Sequence, residues 1–402
     1  MRNDWKYLPL GDIVEIKRGL TYSKNDEVVT SEKIVLRSNN VNLDNHQFDF
    51  TELKYLKPSF DIPADKYLQK GDLLMCMSNG SKAHLGKVAL YEGDSNRYAF
   101  GGFMAALSHK DSVIGKYLFY AMTTPMYKEY IKALSDGANI NNLKVRDIEA
   151  FTIPVPPLPE QERIVSQLDE QFAKIDALKA NAATQLQAAK DLFQSALKQL
   201  LTPQKGWEKK KLGECFISIN NGANIKQTKG AGGIPITRIE TLSNGVFNKD
   251  RLGYANIDDA SRYYKYILKD GDLLMSHINS VEFVGRTVVF HNQLPIVIHG
   301  MNLLRLVPNT TAISDFYYYA FKTPWFRLQL EPIIHKSVNQ ASMNTTALKQ
   351  VNVYIPNKDT QQEIVARLDS ISEKVKALQA NYDQTINLCN DLKQSLLKSI
   401  FA

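Results

Sequence analysis

Two stretches of this chain, Phe151–Leu200 and Val351–Ile400, repeat one pattern of apolar and polar positions. In each, a short apolar strand runs into a proline turn, then a Gln-rich helix start, then a long segment with apolar residues at steps of four and three. Those steps put the apolar side chains on one helical face and, kept up over several heptads, predict a coiled-coil seam. The expected seam positions are Ile164, Leu168, Ile175, Leu178 and Leu192 in the first helix. In the second they are Ile364, Leu368, Ile371, Val375, Leu378, Leu392 and Leu396. Pro159 suits the first helical position, Asp359 with Gln362 reads as a capping box, and Thr202, Pro203 and Gly206 stop the first helix. A lone helix with such a seam must bury it, and the partner within reach is the other copy. Because a globular stretch separates the two, the pair can run antiparallel.

The repetition extends beyond the helices. Trp5 to Asp12 matches Trp207 to Glu214, Gly71-Asp72-Leu73-Leu74-Met75 returns as Gly271-Asp272-Leu273-Leu274-Met275, and Phe119-Tyr120-Ala121 returns as Tyr318-Tyr319-Ala320. Self-similarity along a whole chain means one structural unit used twice. The expected organisation is a first globular domain over 1–155, a central helix over 156–204, a second globular domain over 205–355 and a C-terminal helix over 356–402. The class is α+β: two similar α/β domains separated by a pair of long antiparallel helices, with a pseudo-two-fold internal repeat.

Bulk properties narrow the function. The 402 residues carry a net charge of +7. Divided along the chain, that is about +1 for 1–159, about +6 for 206–359 and about zero for each helix. The excess on the globular parts is a modest phosphate-attracting balance. Three cysteines stand far apart with no metal or disulfide spacing. No apolar run reaches membrane-spanning length, and a cytoplasmic protein is expected. Gly80 to Val88 looks like a phosphate loop, but it has one residue too many between the glycines and a valine where Ser or Thr must hold magnesium. The seven histidines do not cluster. No catalytic or metal constellation emerges.

The run Pro156-Pro157-Leu158-Pro159-Glu160-Gln161 before a long helix, the Gly-Asp-Leu-Leu turn and the opening from Trp5 to Gly11 resemble the DNA-specificity (S) subunits of type I restriction-modification systems. The second helix entry departs from this pattern, reading Ile355-Pro356-Asn357-Lys358-Asp359-Thr360-Gln361. The resemblance implies a non-catalytic subunit with two target-recognition domains that binds a bipartite, asymmetric site on double-stranded DNA. It implies that two methyltransferase (M) subunits dock on the helices and that restriction/translocase (R) subunits join through them. No cofactor is expected on this chain; the partners are expected to use S-adenosyl-methionine, ATP and Mg. Two alternatives remain: the same role in a type II system with fused nuclease and methyltransferase, or a coiled-coil scaffold that does not bind DNA.

The resemblance does not transfer base contacts, so these are taken from chemistry. Arg, Lys, Asn, Gln and His on loops supply the donors and acceptors that base edges demand. The candidates in the first domain are Arg37, Asn39, Asn40, Asn79, Lys82, Asn139, Asn141, Asn142 and Lys144. In the second they are Arg238, His277, Asn279, Arg286, Lys336, Asn339 and Gln340, while Lys226 and Lys229, in the Gly-rich loop Asn221 to Gly233, are expected to contact phosphates. Each competes with the plainer role of a solvated or turn-capping loop residue. Arg37 and Arg238 recur in both halves, which favours a framework role for them.

Overall fold

The computed structural model describes residues 5–136, 142–228, 232–292, 294–337 and 340–401. The chain forms two compact units, Met1–Ala182 with Asp383–Ala402, and Ala183–Tyr382. Each unit therefore holds one globular part and a half of both long helices.

In the first unit the opening strand Lys6–Pro9 pairs antiparallel with Thr152–Val155, Lys6 opposite Val155, so the domain closes on itself just before the helix. Its main sheet is antiparallel in the order Val14–Arg18, Met104–His109, Leu73–Cys76, Val88–Leu90. The second unit repeats both features, with Glu208–Lys211 against Asn352–Ile355 and a sheet ordered Phe216–Asn221, Leu303–Pro308, Leu273–Ser276, Thr287–Val289. The repeated Gly-Asp-Leu-Leu-Met segment explains the core. Gly71 and Gly271 take positive φ, and the Asp72 and Asp272 carboxylates accept the Gln69 and Lys269 amides at 2.8 and 2.7 Å. The strand that follows is buried on both faces. Leu73 and Met75 join the core that includes the long helices, while Leu74 and Cys76 join a second core behind the sheet. Leu273, Met275 and Leu274 divide in the same way. Each unit then diverges: the second carries a three-stranded sheet of Ile278–Asn279, Ala341–Met343 and Ile334–Lys336.

The long helices are Leu158–Leu201 and Lys358–Phe401, 44 residues each. The second starts at Lys358, and the Asn357 side chain caps it by accepting the Thr360 amide at 2.9 Å. Asp359 therefore sits inside the first turn instead of at the cap expected for it. In the first unit Asp176 pairs with Lys393 at 2.6 Å and Lys179 donates to Asn390 at 2.7 Å. As one partner number rises the other falls, so the segments run antiparallel. In the second unit Leu197 and Leu201 share a core with Ile364, Val365 and Leu368.

The seam expectation needs correction. Ile164, Leu168, Ile175, Ile364 and Leu368 are buried, and Ile371, Val375, Leu378 and Leu396 are half-buried. Leu178, Leu192 and Leu392, however, are 57%, 62% and 49% exposed. The buried face follows Ile164, Ile175, Leu186 and Leu197, at intervals of eleven residues. The second helix keeps the same spacing at Ile364, Val375, Ile386 and Leu397, the two ends buried and the two middle residues half-buried. Eleven residues in three turns is about 3.67 per turn, against 3.5 for a heptad, so strict heptad slots drift off the buried face.

Each domain is fastened to its helix by the same two contacts. The fully buried Gln161 side chain accepts the Ile114 amide at 2.9 Å and donates to the Ser112 and Pro156 carbonyls at 3.0 and 2.8 Å. Gln361 does the same with the Ile313 amide and the Thr311 and Pro356 carbonyls. About two turns further along the helix, the Tyr120 hydroxyl donates to Asp169, and the Tyr319 hydroxyl to Asp369.

One buried histidine sets a pH limit. His299 is buried with a ring nitrogen 2.9 Å from the Leu303 carbonyl oxygen, and burial pushes its pKa down to about 3. The folded state excludes a proton that the unfolded chain takes up below about pH 6.5, so this stability is present above that value and lost as the pH falls towards 3. Between pH 6.5 and 4.5 the second unit should lose roughly 2–3 kcal/mol from this group. Denaturant titrations at both pH values should show that loss, and a His299→Gln variant should show less of it.

Candidate nucleic-acid interface

Four segments of the first unit meet in a concave site, and backbone contacts hold them there. Gly19 donates to the Met104 carbonyl at 3.0 Å and Leu20 to the Phe100 carbonyl at 2.9 Å. Gly101 donates to the Leu36 carbonyl, and the Phe103 carbonyl accepts the Met77 and Ser78 amides. A Cβ on Gly19 would stand 2.1 Å from the Gly101 oxygen, so only glycine permits this crossing. The second unit builds the same floor, where a Cβ on Gly222 would stand 2.1 Å from the His299 oxygen.

Over the first floor lies a cavity of about 720 Å³ whose lining includes Tyr22, Arg37, Asn39, Asn79 and Phe103. Three of these are predicted base readers, drawn from two loops, with Asn79 far in sequence from Arg37 and Asn39. The Arg37 Nε is buried without a hydrogen-bond partner. The Asn79 amide donates to the Ser38 hydroxyl at 2.8 Å and accepts the Ser81 amide at 2.9 Å, and Asn39 lies 3.5 Å from a Glu52 carboxylate oxygen. Asn40 is different. It is buried, its carbonyl accepts the Arg37 amide, and its amide group donates to the Asp49 and Glu52 carbonyls. With donors and acceptor committed to backbone, it shapes the loop and presents nothing to a base. Thr241 holds the Arg238 amide in the same way at 2.9 Å.

A second cavity, about 470 Å³, adjoins the loop at Lys82 and is lined by Lys82, Lys87, Lys128, Lys132 and His46. Lys82 lies 3.5 Å from Asp136, and Lys87 donates to the Val41 carbonyl at 2.6 Å. Burial holds the Lys87 and Lys128 ammonium groups below the usual lysine range, so an anion placed here would be favoured by both. Lys128 and Lys132 sit at i and i+4 on the helix Pro125–Asp136. Sequence reasoning missed them because they read as an ordinary solvated helix face. Asn142 accepts a hydrogen bond from Arg18 at 3.1 Å, and Lys144 is exposed at the start of the helix Val145–Glu149. Asn139 and Asn141 lie outside the described residues, as do Lys229 and Asn339.

In the second unit Arg238 lies 3.4 Å from Glu240, and Asn279 accepts the Ser280 amide at 2.8 Å. The Arg286 guanidinium stands 4.0 Å over the Phe283 ring. Lys226, Lys336 and Gln340 are exposed. His277 departs from expectation: it is buried, its Nδ1 has no partner, and burial lowers its pKa. Among the described residues no group of acidic, histidine and cysteine side chains could hold a metal ion.

The profile of the type I restriction modification DNA specificity domain matches residues 2–188 and again 204–388. The chain is 26% identical over 414 residues to the type I restriction enzyme EcoKI specificity subunit of Escherichia coli K12, covering 99% of this chain and 88% of that protein. It is equally 26% identical to the StySPI specificity subunit of Salmonella potsdam, over 99% and 88% of the two chains. Among solved structures, a chain from work on complex assembly and conformational transition of the type I R-M system superposes with a TM-score of 0.76 at 19% identity, over 98% and 97% of the two chains. The HsdS subunit of Thermoanaerobacter tengcongensis gives a TM-score of 0.57 at 18% identity, over 99% and 96%.

Proposed function

This chain belongs to the type I restriction-modification DNA specificity family, a non-catalytic subunit that determines the DNA target, and from that premise we propose how its two units divide the work. Each unit reads one half of a bipartite, asymmetric site on double-stranded DNA. The supporting observation is one floor built twice with different side chains on it. Arg37 and Arg238 recur at the same position, whereas Asn39 faces Glu240 in the alignment and Ser38 faces Ile239. Shared framework with unlike rims suits two unlike half-sites, as a dimer suits a palindrome.

Asn39 and Asn79 act at base edges in the first half-site, with Arg37 as framework beside them, and Asn279, Arg286, Lys336 and Gln340 act at base edges in the second. Lys82, Lys128 and Lys132 hold phosphates of the first half-site, and Lys226 of the second. Methyltransferase subunits dock on the long helices, where Leu178, Leu192, Leu388 and Leu392 present apolar side chains to solvent. Restriction subunits join through the methyltransferase. S-adenosyl-methionine, ATP and Mg are used by those partners, and an adenine is flipped from each half-site for methylation because its target atom is inaccessible in the stack. No helix among the described residues is long and apolar enough to cross a membrane, and the complex works in the cytoplasm.

Expression with the cognate methyltransferase subunit in a host free of adenine methylation tests this. Sequencing should find methyl-adenine at one motif of two short halves around a fixed gap. An unbroken motif, or none, would remove the bipartite reading.

A further inference from the structure

Phe103 is 72% exposed, and it stands on the rim of the cavity that gathers Arg37, Asn39 and Asn79. Exposed aromatic residues scattered over a surface need no explanation. This one is held differently. Its carbonyl accepts the Met77 and Ser78 amides at 2.9 and 3.1 Å, and the chain before it is pinned by the Gly101 amide on the Leu36 carbonyl. The backbone is thus fixed while the ring meets solvent beside three polar side chains.

The second unit supplies the comparison. Gly101 bridges Leu20 as Gly300 bridges Ala223, and two residues beyond those glycines stand Phe103 and Asn302. The scaffold therefore places a phenyl ring in one unit where it places an amide in the other. A framework residue would keep its chemistry in both, as Arg37 and Arg238 do. Most of what a base edge shows in the major groove is polar, and the 5-methyl group of thymine is the apolar exception.

We infer that Phe103 is a specificity-determining residue of the first unit, whose ring contacts a thymine 5-methyl group in the first half-site. The inference rests on the reading of this unit as a DNA reader. Burying one methyl group corresponds to about a four-fold change in affinity. Phe103 is exposed, so alanine at this position leaves the core intact.

The test uses the full complex with its methyltransferase subunit and duplexes in which each thymine of the target is replaced singly by deoxyuridine, which lacks only the methyl group. The wild-type complex should bind about four-fold more weakly at one position in the first half-site. Phe103→Ala should show that weakening on the thymine duplex and no further loss with deoxyuridine. Sensitivity to deoxyuridine in the second half-site should be the same in both proteins. Wild-type indifference at every thymine of the first half-site would overturn the inference, as would full sensitivity retained in Phe103→Ala. A wild-type complex with no preference among DNA sequences would instead overturn the DNA-reading role beneath it.

Discussion

Replacing Gln161 by alanine should destabilise the first unit by about 3 kcal/mol, an effect far larger than its place in a polar helix start suggests. The side chain is fully buried, and the Ile114 amide and the Ser112 and Pro156 carbonyls all depend on it. Alanine would strand three backbone groups, each worth roughly 1–3 kcal/mol when buried without a partner, and leave a void. Local rearrangement and water entry bring the sum down to the stated value. Gln361→Ala should do the same to the second unit. The nearby Gln167, exposed on the helix, is the control, and Gln167→Ala should change stability by less than about 0.5 kcal/mol. Hydrogen exchange would locate the effect: Gln161→Ala should speed exchange across Gly115–Ala121 and leave the second unit unchanged. Equal stability of the Gln161 and Gln167 variants would mean that this clasp carries no weight.

Shortening both long helices by eleven residues in their middle should shorten the gap in the DNA target while leaving both half-sites as they were. The helices rise about 1.5 Å per residue, so eleven residues remove about 16 Å, equivalent to at most about five base pairs. Eleven is the length to remove because the buried stripe of each helix repeats at that interval, and its side chains re-register after the cut. A five-residue cut is the counter-case. It turns the remaining helix by roughly half a revolution and should abolish folding of the pair. Methylation motifs of the two variants would be compared with the parent. A changed half-site sequence in the eleven-residue variant would end the view of the helices as a spacer.

The doubled plan could be read from the sequence because its signals are local: a Gly-Asp turn, a continuous apolar strand, proline before a helix. The helix face was harder. Leu178, Leu192 and Leu392 are apolar at heptad spacing, yet which leucine is buried depends on the winding of the helix and on what covers it. A difference of about one-sixth of a residue per turn suffices to move the stripe from Leu192 to Phe193 and Leu197. Glutamines 161 and 361 announced themselves as a repeated pair but read as helix-start polarity, since their partners on residues 112–114 and 311–313 come from another part of the chain. Arg37, Asn39 and Asn79 were picked by side-chain chemistry, and the crossing at Gly19 and Gly101 explains why they converge. The same chemistry also selects Asn40 and His277, which the fold buries. It passed over Phe103, because an aromatic residue is assigned to a core by default.

The Phe401 ring lies 5.1 Å from that of Tyr117, and Leu397 is buried in the core of the first unit. That core is therefore completed by residues 383–402, whereas the second unit is made from 183–382 without interruption. A ribosome delivers residues in order, at about 5–20 per second, so the apolar surface around Tyr117 waits roughly 10–40 s for its covering helix. The half that is synthesised first is finished last. During that interval the nascent first half offers a ready groove to the tail of a neighbouring copy, so chains made side by side on one messenger are at risk of exchanging tails.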